Sequence, residues 1–205
     1  MRTYDLTSVT GDPVRVPDPE RIVHLQFRRF AGCPICNLHL RSFAVRHAEI
    51  EAAGVREVAV FHAPADELRE HVAELPFDVI PDPGRELYVA FGVESRPRAL
   101  LDPRVWPAIV RAVVTGLLRR DPLPRSRPTG GRLGLPGDFL IAPDGTVLAS
   151  RLGAHANDQW SLDEMLALAR AAHAQPTHDQ PTHDQPVPGQ PALSRPAPSE
   201  RASRA

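Results

Sequence analysis

The apolar positions of this chain alternate between the spacing of strands and the spacing of helices. Residues 21–27 and 56–63 are short apolar runs of the kind that form strands buried on both faces. Residues 35–53 contain neither Gly nor Pro, place apolar side chains three and four apart and are followed by Gly54, which predicts one helix. Strand, helix and strand with short links form a right-handed crossover, so we predict a sheet that is at least partly parallel.

The same alternation continues to residue 174. Residues 65–75 predict an amphipathic helix, and residues 76–93 predict a short strand, a turn and a short helix. Two apolar runs around Pro-Asp-Gly in 137–153 predict a hairpin. A final helix is predicted over 161–174, where Ser161 and Glu164 have capping-box spacing. The pattern therefore predicts one α/β domain over residues 1–174.

The composition changes at Gln175. Residues 175–205 hold seven of the 23 prolines and repeat the pentapeptide QPTHD twice in tandem. Such a segment cannot bury enough apolar area to offset the entropy lost on ordering. We therefore predict a disordered tail over 175–205.

Residues 104–119 carry the most regular helical stripe, with apolar side chains at helical spacing from Trp106 to Leu118. The stripe lies in the segment 96–132, which contains nine Arg and two acidic residues. Two interpretations stay open for it: a core or homodimer-interface helix, and a contact with an anionic membrane surface. The arginines are not accompanied by a set of stacking aromatic residues, so we expect no nucleic-acid binding.

The overall composition narrows the chemistry. The net charge of −1 gives no general attraction to nucleic acid or membrane, and the chain has no apolar run long enough for a signal peptide or a bilayer span. We therefore expect a cytoplasmic protein. All 24 basic residues are Arg, which excludes a Schiff-base lysine and the phosphate-binding lysine of a P-loop.

The chain has two cysteines, Cys33 and Cys36, at the predicted junction of the first strand with its helix. Free N–H groups and the positive end of a helix stabilise a thiolate there, and Pro34 suits the first helical position. We therefore predict that Cys33 is the nucleophile and that Cys36 resolves the species formed on it. Two unreactive buried thiols are one alternative, and a zinc site with two further ligands is another. We expect neither a metal nor a cofactor.

The order of elements around this C-P-x-C motif resembles the thioredoxin-like superfamily. Residues 25–43, 80–93 and 136–148 are similar to the alkyl hydroperoxide reductase/thiol-specific antioxidant (AhpC/TSA) family, especially its peroxiredoxin-like branch with a C-x-x-C motif. The resemblance implies a mixed central sheet flanked by helices, with 96–132 as an Arg-rich helical insertion. It also implies that Cys33 and Cys36 are catalytic and that Pro136 is a cis-proline facing them in the substrate-binding region.

The sequence departs from the peroxiredoxins at three positions. Gln26 and Phe30 stand where the family has Pro and Thr or Ser, and Pro136 falls near the position of its second active-site Arg. Arg29, Arg132 or Arg151 could replace that cation, and spacing does not select among them; we take Arg29 for substrate binding because it is nearest in sequence to Cys33. These departures favour disulfide exchange, with an external thiol donor such as a thioredoxin system, over a thiol peroxidase. A non-enzymatic redox-sensing or adaptor protein is the third alternative.

Overall fold

The computed structural model describes residues 1–72, 74–93, 102–122, 128–129 and 131–174. Residues 1–174 form one compact unit. The tail predicted over 175–205 lies outside the described residues, and so does part of the Arg-rich segment 96–132. The disorder of the tail therefore stays a prediction.

Seven strands of the described residues form two sheets. They are β1 (Tyr4–Thr7), β2 (Pro13–Val16), β3 (Ile22–Arg28), β4 (Val55–Phe61), β5 (Asp78–Pro81), β6 (Gly137–Ile141) and β7 (Val147–Leu152). The central sheet has the order β5-β4-β3-β6-β7, and β1 pairs with β2 in a separate antiparallel pair. β3, β4 and β5 run parallel, whereas β6 is antiparallel to both β3 and β7. The predicted mixed sheet and the hairpin after residue 136 are confirmed.

In the part of the chain that the structure describes, six helices and a short 3₁₀ turn connect the strands. They are α1 (Pro34–Val45), α2 (His47–Ala52), α3 (Ala65–Val72), α4 (Glu86–Ala90), the turn Pro103–Val105, α5 (Trp106–Arg119) and α6 (Leu162–Ala174). The Ser161 hydroxyl accepts from the N–H of Glu164 at 3.3 Å, and the Glu164 carboxylate accepts from the N–H of Ser161 at 2.8 Å. The predicted capping box is therefore present at the start of α6.

The prediction of one helix over 35–53 is wrong, because the chain breaks at Arg46. Arg46 has φ −112° and ψ 27°, and its N–H donates to the carbonyl of Phe43 at 3.2 Å. The break lets Phe43 on α1 and Ile50 on α2 enter the same core, where both are fully buried. The strands β1 and β2 were not predicted, since four residues are too few to establish an alternating pattern.

The two faces of β3 differ in chemistry. Val23, Leu25 and Phe27 point into an apolar core with side chains from β1–β2, α4 and β6. The intervening side chains of His24, Gln26 and Arg28 are fully buried on the opposite face, where His24 lies beside Phe43 of α1 and Trp160 just before α6. The central strand therefore separates an apolar layer from a layer that contains buried charge.

Candidate active site

Cys33 lies where β3 is connected to α1. The chain leaves β3 at Arg28, turns through Gly32 with φ 71°, and places Cys33 as the residue that precedes the first turn of α1. The N–H of Cys33 donates to Phe30 O at 3.1 Å, and its carbonyl accepts from Asn37 N–H at 2.9 Å. Pro34 takes the first helical position, as predicted. Cys36 follows within the same turn, and both cysteines are free thiols.

The surroundings of the two sulfurs push their pKa values in opposite directions. Burial raises the pKa of Cys33, but a hydrogen bond with Cys36, the charge of Arg29 and the N–H groups of Ile35 and Cys36 together lower it to about 6. Burial and the neighbouring Cys33 sulfur raise the pKa of Cys36 well above 9. At neutral pH the pair therefore holds a thiolate on Cys33 and a protonated thiol on Cys36.

Arg29 is the cation beside this thiolate. Its Nη1 lies 3.8 Å from Cys33 Sγ, its Nε donates to Gly134 O at 3.1 Å, and its Nη2 donates to Arg132 O. The side chain is buried. The segment just before β6 therefore fixes the guanidinium that compensates the charge on Cys33. The sequence proximity that singled out Arg29 matches its position in space.

The peptide bond before Pro136 differs from the one that the resemblance implied. The Leu135–Pro136 peptide bond is trans, and among the described residues the cis bond is Val16–Pro17. The expectation of a cis-proline at this position is wrong. The carbonyl of Pro136 accepts from Gly153 N–H at 2.9 Å, and a Cβ on Gly153 would come within 2.7 Å of the proline ring. Pro136 is therefore held by close packing against the chain that follows β7.

The sequence did not identify two buried residues near the site, His62 and Tyr88. His62 follows β4 directly and is neutral, because burial and the charges of Arg85 and Arg29 lower its pKa to about 4. Its Nε2 is 3.3 Å from Gly131 O, and its Nδ1 has no hydrogen-bond partner among the described residues. Its ring packs 5.4 Å from that of Tyr88. Arg28 at the end of β3 pairs with Phe61 at the end of β4, and parallel strands end at the same edge of a sheet. The residues that follow the two strands, Arg29 and His62, are therefore close together.

A second buried group of charged and polar side chains, here called the sheet network, lies on β3 and its two neighbouring strands. It consists of His24, Gln26, Arg28, Glu57 and Asp138, all at most 1% exposed. Arg28 donates to Asp138 Oδ1 at 2.8 Å and to Gln26 Oε1 at 2.6 Å, and Gln26 in turn donates to Glu57. His24 Nδ1 lies 2.8 Å from the Glu57 carboxylate. The network links three strands through side chains.

The charges of the sheet network balance one another. Burial alone would lower the pKa of His24, but Glu57 and Asp138 raise it to about 9, so the imidazole is protonated. Burial would raise the pKa of Asp138, yet Arg28 and His24 hold it well below the ordinary range. Two cationic side chains thus face two carboxylates. His39 on α1 closes the network by accepting from Arg28 Nη2 at 3.0 Å.

The structure also explains two of the three residues that depart from the peroxiredoxin pattern, Gln26 and Phe30. Gln26 joins Arg28 to Glu57 within the sheet network. Phe30 is buried beneath two guanidinium groups, whose central carbons lie 5.3 Å (Arg29) and 5.4 Å (Arg132) from its ring centre. Neither side chain carries a hydroxyl to the cysteines. In the described part of the chain, no three His, Cys, Asp or Glu side chains are arranged to hold a metal ion.

The sequence of the chain matches one family model. The model of the family described as AhpC/TSA antioxidant enzyme matches residues 42–155, which are more than half of the chain. The match begins after α1 has started, so Cys33 and Cys36 lie outside it. A comparison with curated proteins finds no match. None of the helices described here is long and apolar enough to cross a bilayer.

Solved structures with the same fold include peroxiredoxins and disulfide-exchange proteins. A peroxiredoxin 6 mutant of Arenicola marina has a TM-score of 0.61 at 19% identity, over 91% of this chain and 80% of that one. The peroxidoxin BcpB of Mycobacterium tuberculosis has a TM-score of 0.59 at 19% identity, over 83% and 94%. A protein of Chlorobium tepidum assigned as the thiol:disulfide interchange protein DsbE has a TM-score of 0.52 at 21% identity, over 82% and 94%. These likenesses show a thioredoxin-like fold.

Proposed function

Because the chain belongs to the AhpC/TSA antioxidant enzyme family, we propose that it is a thiol-dependent oxidoreductase whose redox pair is Cys33 and Cys36. The observation that carries the proposal is the opposite tuning of two adjacent thiols at the start of α1. The pKa of Cys33 is lowered to about 6 beside Arg29, and the pKa of Cys36 is raised. A thiolate next to a protonated thiol is the arrangement needed for attack followed by resolution.

The reaction is a two-electron oxidation of the dithiol. With a hydroperoxide, the Cys33 thiolate attacks one peroxide oxygen, the O–O bond breaks, and the leaving alkoxide or hydroxide takes up a proton, which leaves a sulfenic acid on Cys33. Cys36 then loses its proton and attacks that sulfur, so that the S–S bond forms and water leaves. With a disulfide, the same thiolate forms a mixed disulfide and expels one thiolate, and Cys36 expels the second. An external dithiol donor, such as a thioredoxin system, returns the two electrons.

Two observations bear on the oxidant. The residues Cys33 and Cys36 are 1% and 2% exposed, which supports a small hydroperoxide, since a bulky disulfide needs an accessible sulfur. The absence of a hydroxyl at Phe30 and the place of Gln26 in the sheet network support disulfide exchange instead. The test therefore includes both hydroperoxides and a disulfide.

The test follows free thiols in the reduced wild type, Cys33→Ser and Cys36→Ser after addition of hydrogen peroxide, an organic hydroperoxide or a model disulfide. The wild type should lose both thiols, and Cys33→Ser should keep its remaining thiol on the same time scale. Cys36→Ser should stop at a sulfenic acid on Cys33, trapped with dimedone, or at a stable mixed disulfide. If Cys33→Ser reacts as fast as the wild type with every oxidant, Cys33 is not the nucleophile.

Turnover separates the candidate functions. Repeated consumption of peroxide with a thioredoxin system as electron donor would identify a peroxidase, and repeated reduction of disulfides would identify a thiol-disulfide oxidoreductase. A single oxidation without turnover, coupled to a change in partner binding, would identify a redox sensor or adaptor and would overturn the enzymatic proposal.

A further inference from the structure

Helix α5 turns most of its large apolar side chains towards solvent, whereas its small side chains and Ile109 face the protein. Ala112 is 2% exposed and Ala108, Thr115 and Gly116 are half-buried on the side that packs along α1. The large side chains on the opposite side are more than 40% exposed: Trp106, Val110, Val113, Val114 and Leu117. An ordinary surface helix has the reverse arrangement. The exposed face, here called the α5 face, is a contiguous apolar stripe of the kind that marks an interaction site.

The α5 face is bordered by positive charge. Arg104 and Arg111 are exposed and line the same groove beside α1, so they lie on one flank of the stripe, and Arg119 and Arg120 are exposed at its end. Residues 103–120 contain no acidic residue. Asp121, which follows them, is bonded to Arg41 of α1 at 2.8 Å. A partner for this face must therefore offer both an apolar layer and negative charge.

We propose that the α5 face binds the surface of an anionic lipid membrane. A helix of this kind lies parallel to the bilayer, with its apolar side chains at the boundary of headgroups and acyl chains and its basic side chains among the phosphates. The 14 residues of α5 are about 21 Å long. Trp106 lies at the start of the stripe, and tryptophan is favoured at this depth in a bilayer.

The charges argue against a second copy of this chain as the occupant. Arg111 lies near the midpoint of α5, so a two-fold antiparallel packing of two α5 helices would bring the two Arg111 side chains together. With no acidic residue in 103–120, nothing on the helix would compensate that repulsion. Lipid phosphates compensate every arginine, and the acyl boundary takes up the apolar stripe.

Binding in this orientation would hold Cys33, Cys36 and Arg29, here called the dithiol site, close to the bilayer. A groove between α1 and α5 is lined by Ile35 and His39 from α1, by Arg104 from the turn before α5 and by Ala108 from α5. Ile35 lies between the two cysteines in sequence. The membrane contact is independent of the redox proposal, because it rests on α5 alone.

The test is sedimentation of the full chain with vesicles of phosphatidylcholine, with and without phosphatidylglycerol, at low and high salt. We expect binding to the mixed vesicles, weaker binding to pure phosphatidylcholine, and loss of binding at high salt. Trp106 emission should shift to shorter wavelength on binding, and Trp106→Phe should remove the shift, since Trp160, the other tryptophan, is 4% exposed.

Two variants and a matched control sharpen the test. Arg111→Gln should weaken binding about fivefold, and Leu117→Ser should weaken it about tenfold. The control is Val89→Ser on α4, a residue that is 79% exposed and lies away from the α5 face; it should bind like the wild type. Thermal unfolding checks that each variant is folded.

Three results would overturn the proposal. The first is no binding to the phosphatidylglycerol vesicles, and the second is equal binding to neutral ones. The third is a concentration-dependent dimer in analytical ultracentrifugation that Leu117→Ser abolishes, because it would assign the α5 face to a second copy.

Discussion

The sheet network and the dithiol site are built from adjoining residues of one strand and its loop, yet their charges are compensated differently. In the network, Arg28 and His24 lie 2.8 Å from the carboxylates of Asp138 and Glu57. In the dithiol site, Arg29 uses Nε and Nη2 on backbone carbonyls and reaches Cys33 Sγ only at 3.8 Å. One region has short, direct ion pairs, and the other holds a thiolate with a single distant cation.

We expect this difference to separate a structural charge from a reactive one. The buried ions of the network are held in place by short contacts with partners on three strands. Removing one partner leaves an uncompensated charge. A thiolate stabilised by N–H groups and one cation stays available for bond formation, because these contacts lower its pKa without forming a covalent bond to the sulfur. Changes in the network should therefore alter stability, and changes around Cys33 should alter reactivity.

The largest expected effect is on stability, from Asp138→Ala. This substitution leaves Arg28 and His24 buried with one carboxylate fewer, and we expect the free energy of unfolding to fall by about 3–5 kcal/mol. The matched control is Asp78→Ala, which removes the partner of Arg56 at 2.8 Å in a partly exposed pair and should cost about 1 kcal/mol or less. Urea unfolding of both variants measures the difference. Equal losses of unfolding free energy would mean that the buried contacts of Asp138 stabilise the fold no more than a partly exposed ion pair does.

The pH dependence of stability should have opposite signs in the two regions. The pKa of His24 is raised from 6.5 to about 9, so its stabilisation is complete below pH 6.5 and is lost as pH rises through 9. The pKa of Cys33 is lowered from 9.0 to about 6, so its stabilisation is complete above pH 9 and is lost as pH falls through 6. Each slope is at most about 1.4 kcal/mol per pH unit.

The comparison uses His24→Gln and Cys33→Ser, unfolded in urea under reducing conditions between pH 6 and 9. The stability lost in His24→Gln relative to wild type should shrink as pH rises, and the stability lost in Cys33→Ser should grow. Differences that do not change with pH would contradict the charge states assigned to both residues.

A smaller effect, on reactivity, is expected from Arg29→Gln. Without the guanidinium charge the pKa of Cys33 should move back towards its ordinary value, and alkylation at pH 7 should slow about tenfold. The rate is followed with iodoacetamide and mass spectrometry in a Cys36→Ser background, so that one thiol is present. Arg41→Gln, an Arg on α1 bonded to Asp121, serves as the control and should leave the rate unchanged. If both variants slow alkylation equally, Arg29 acts only through the overall positive charge and not through its position beside Cys33.

The smallest effect is expected from Tyr88→Phe, at the border of the two regions. The Tyr88 hydroxyl donates towards Val60 O at 2.9 Å and towards Arg28 O, and burial raises its pKa so that it stays protonated. Its loss should cost about 1 kcal/mol in urea unfolding, with the alkylation rate of Cys33 unchanged. A slowing comparable to that of Arg29→Gln would place Tyr88 in the dithiol site.

The sequence predicted the elements whose patterns are local and long. The parallel pair of strands around a helix, the hairpin after residue 136 and the capping box of the last helix were found because spacing and turn chemistry identify them. The break at Arg46 was missed because the apolar spacing continues across it, and only the packing of Phe43 and Ile50 requires the bend.

The candidate site was predictable where it depends on chain position. Cys33 precedes a helix, Pro34 follows it, and Cys36 lies in the first turn. These positions can be predicted from the sequence and from the strand that comes before them. His62 and the trans geometry at Pro136 were not predictable, because they depend on how β4 and β6 flank β3. The roles of Gln26 and Phe30 likewise needed the side chains that other segments bring next to them.

By itself, the sequence determined the α/β order of elements and the position of Cys33 at the start of a helix. These follow from backbone periodicity and helix-end electrostatics, which act within a few residues. Only the tertiary structure decided which charges are neutralised, since Asp138 meets Arg28 from a distance of 110 residues and the Arg132 and Gly134 carbonyls meet Arg29 from beyond 100. Charge compensation depends on distance in space, and the fold alone sets it.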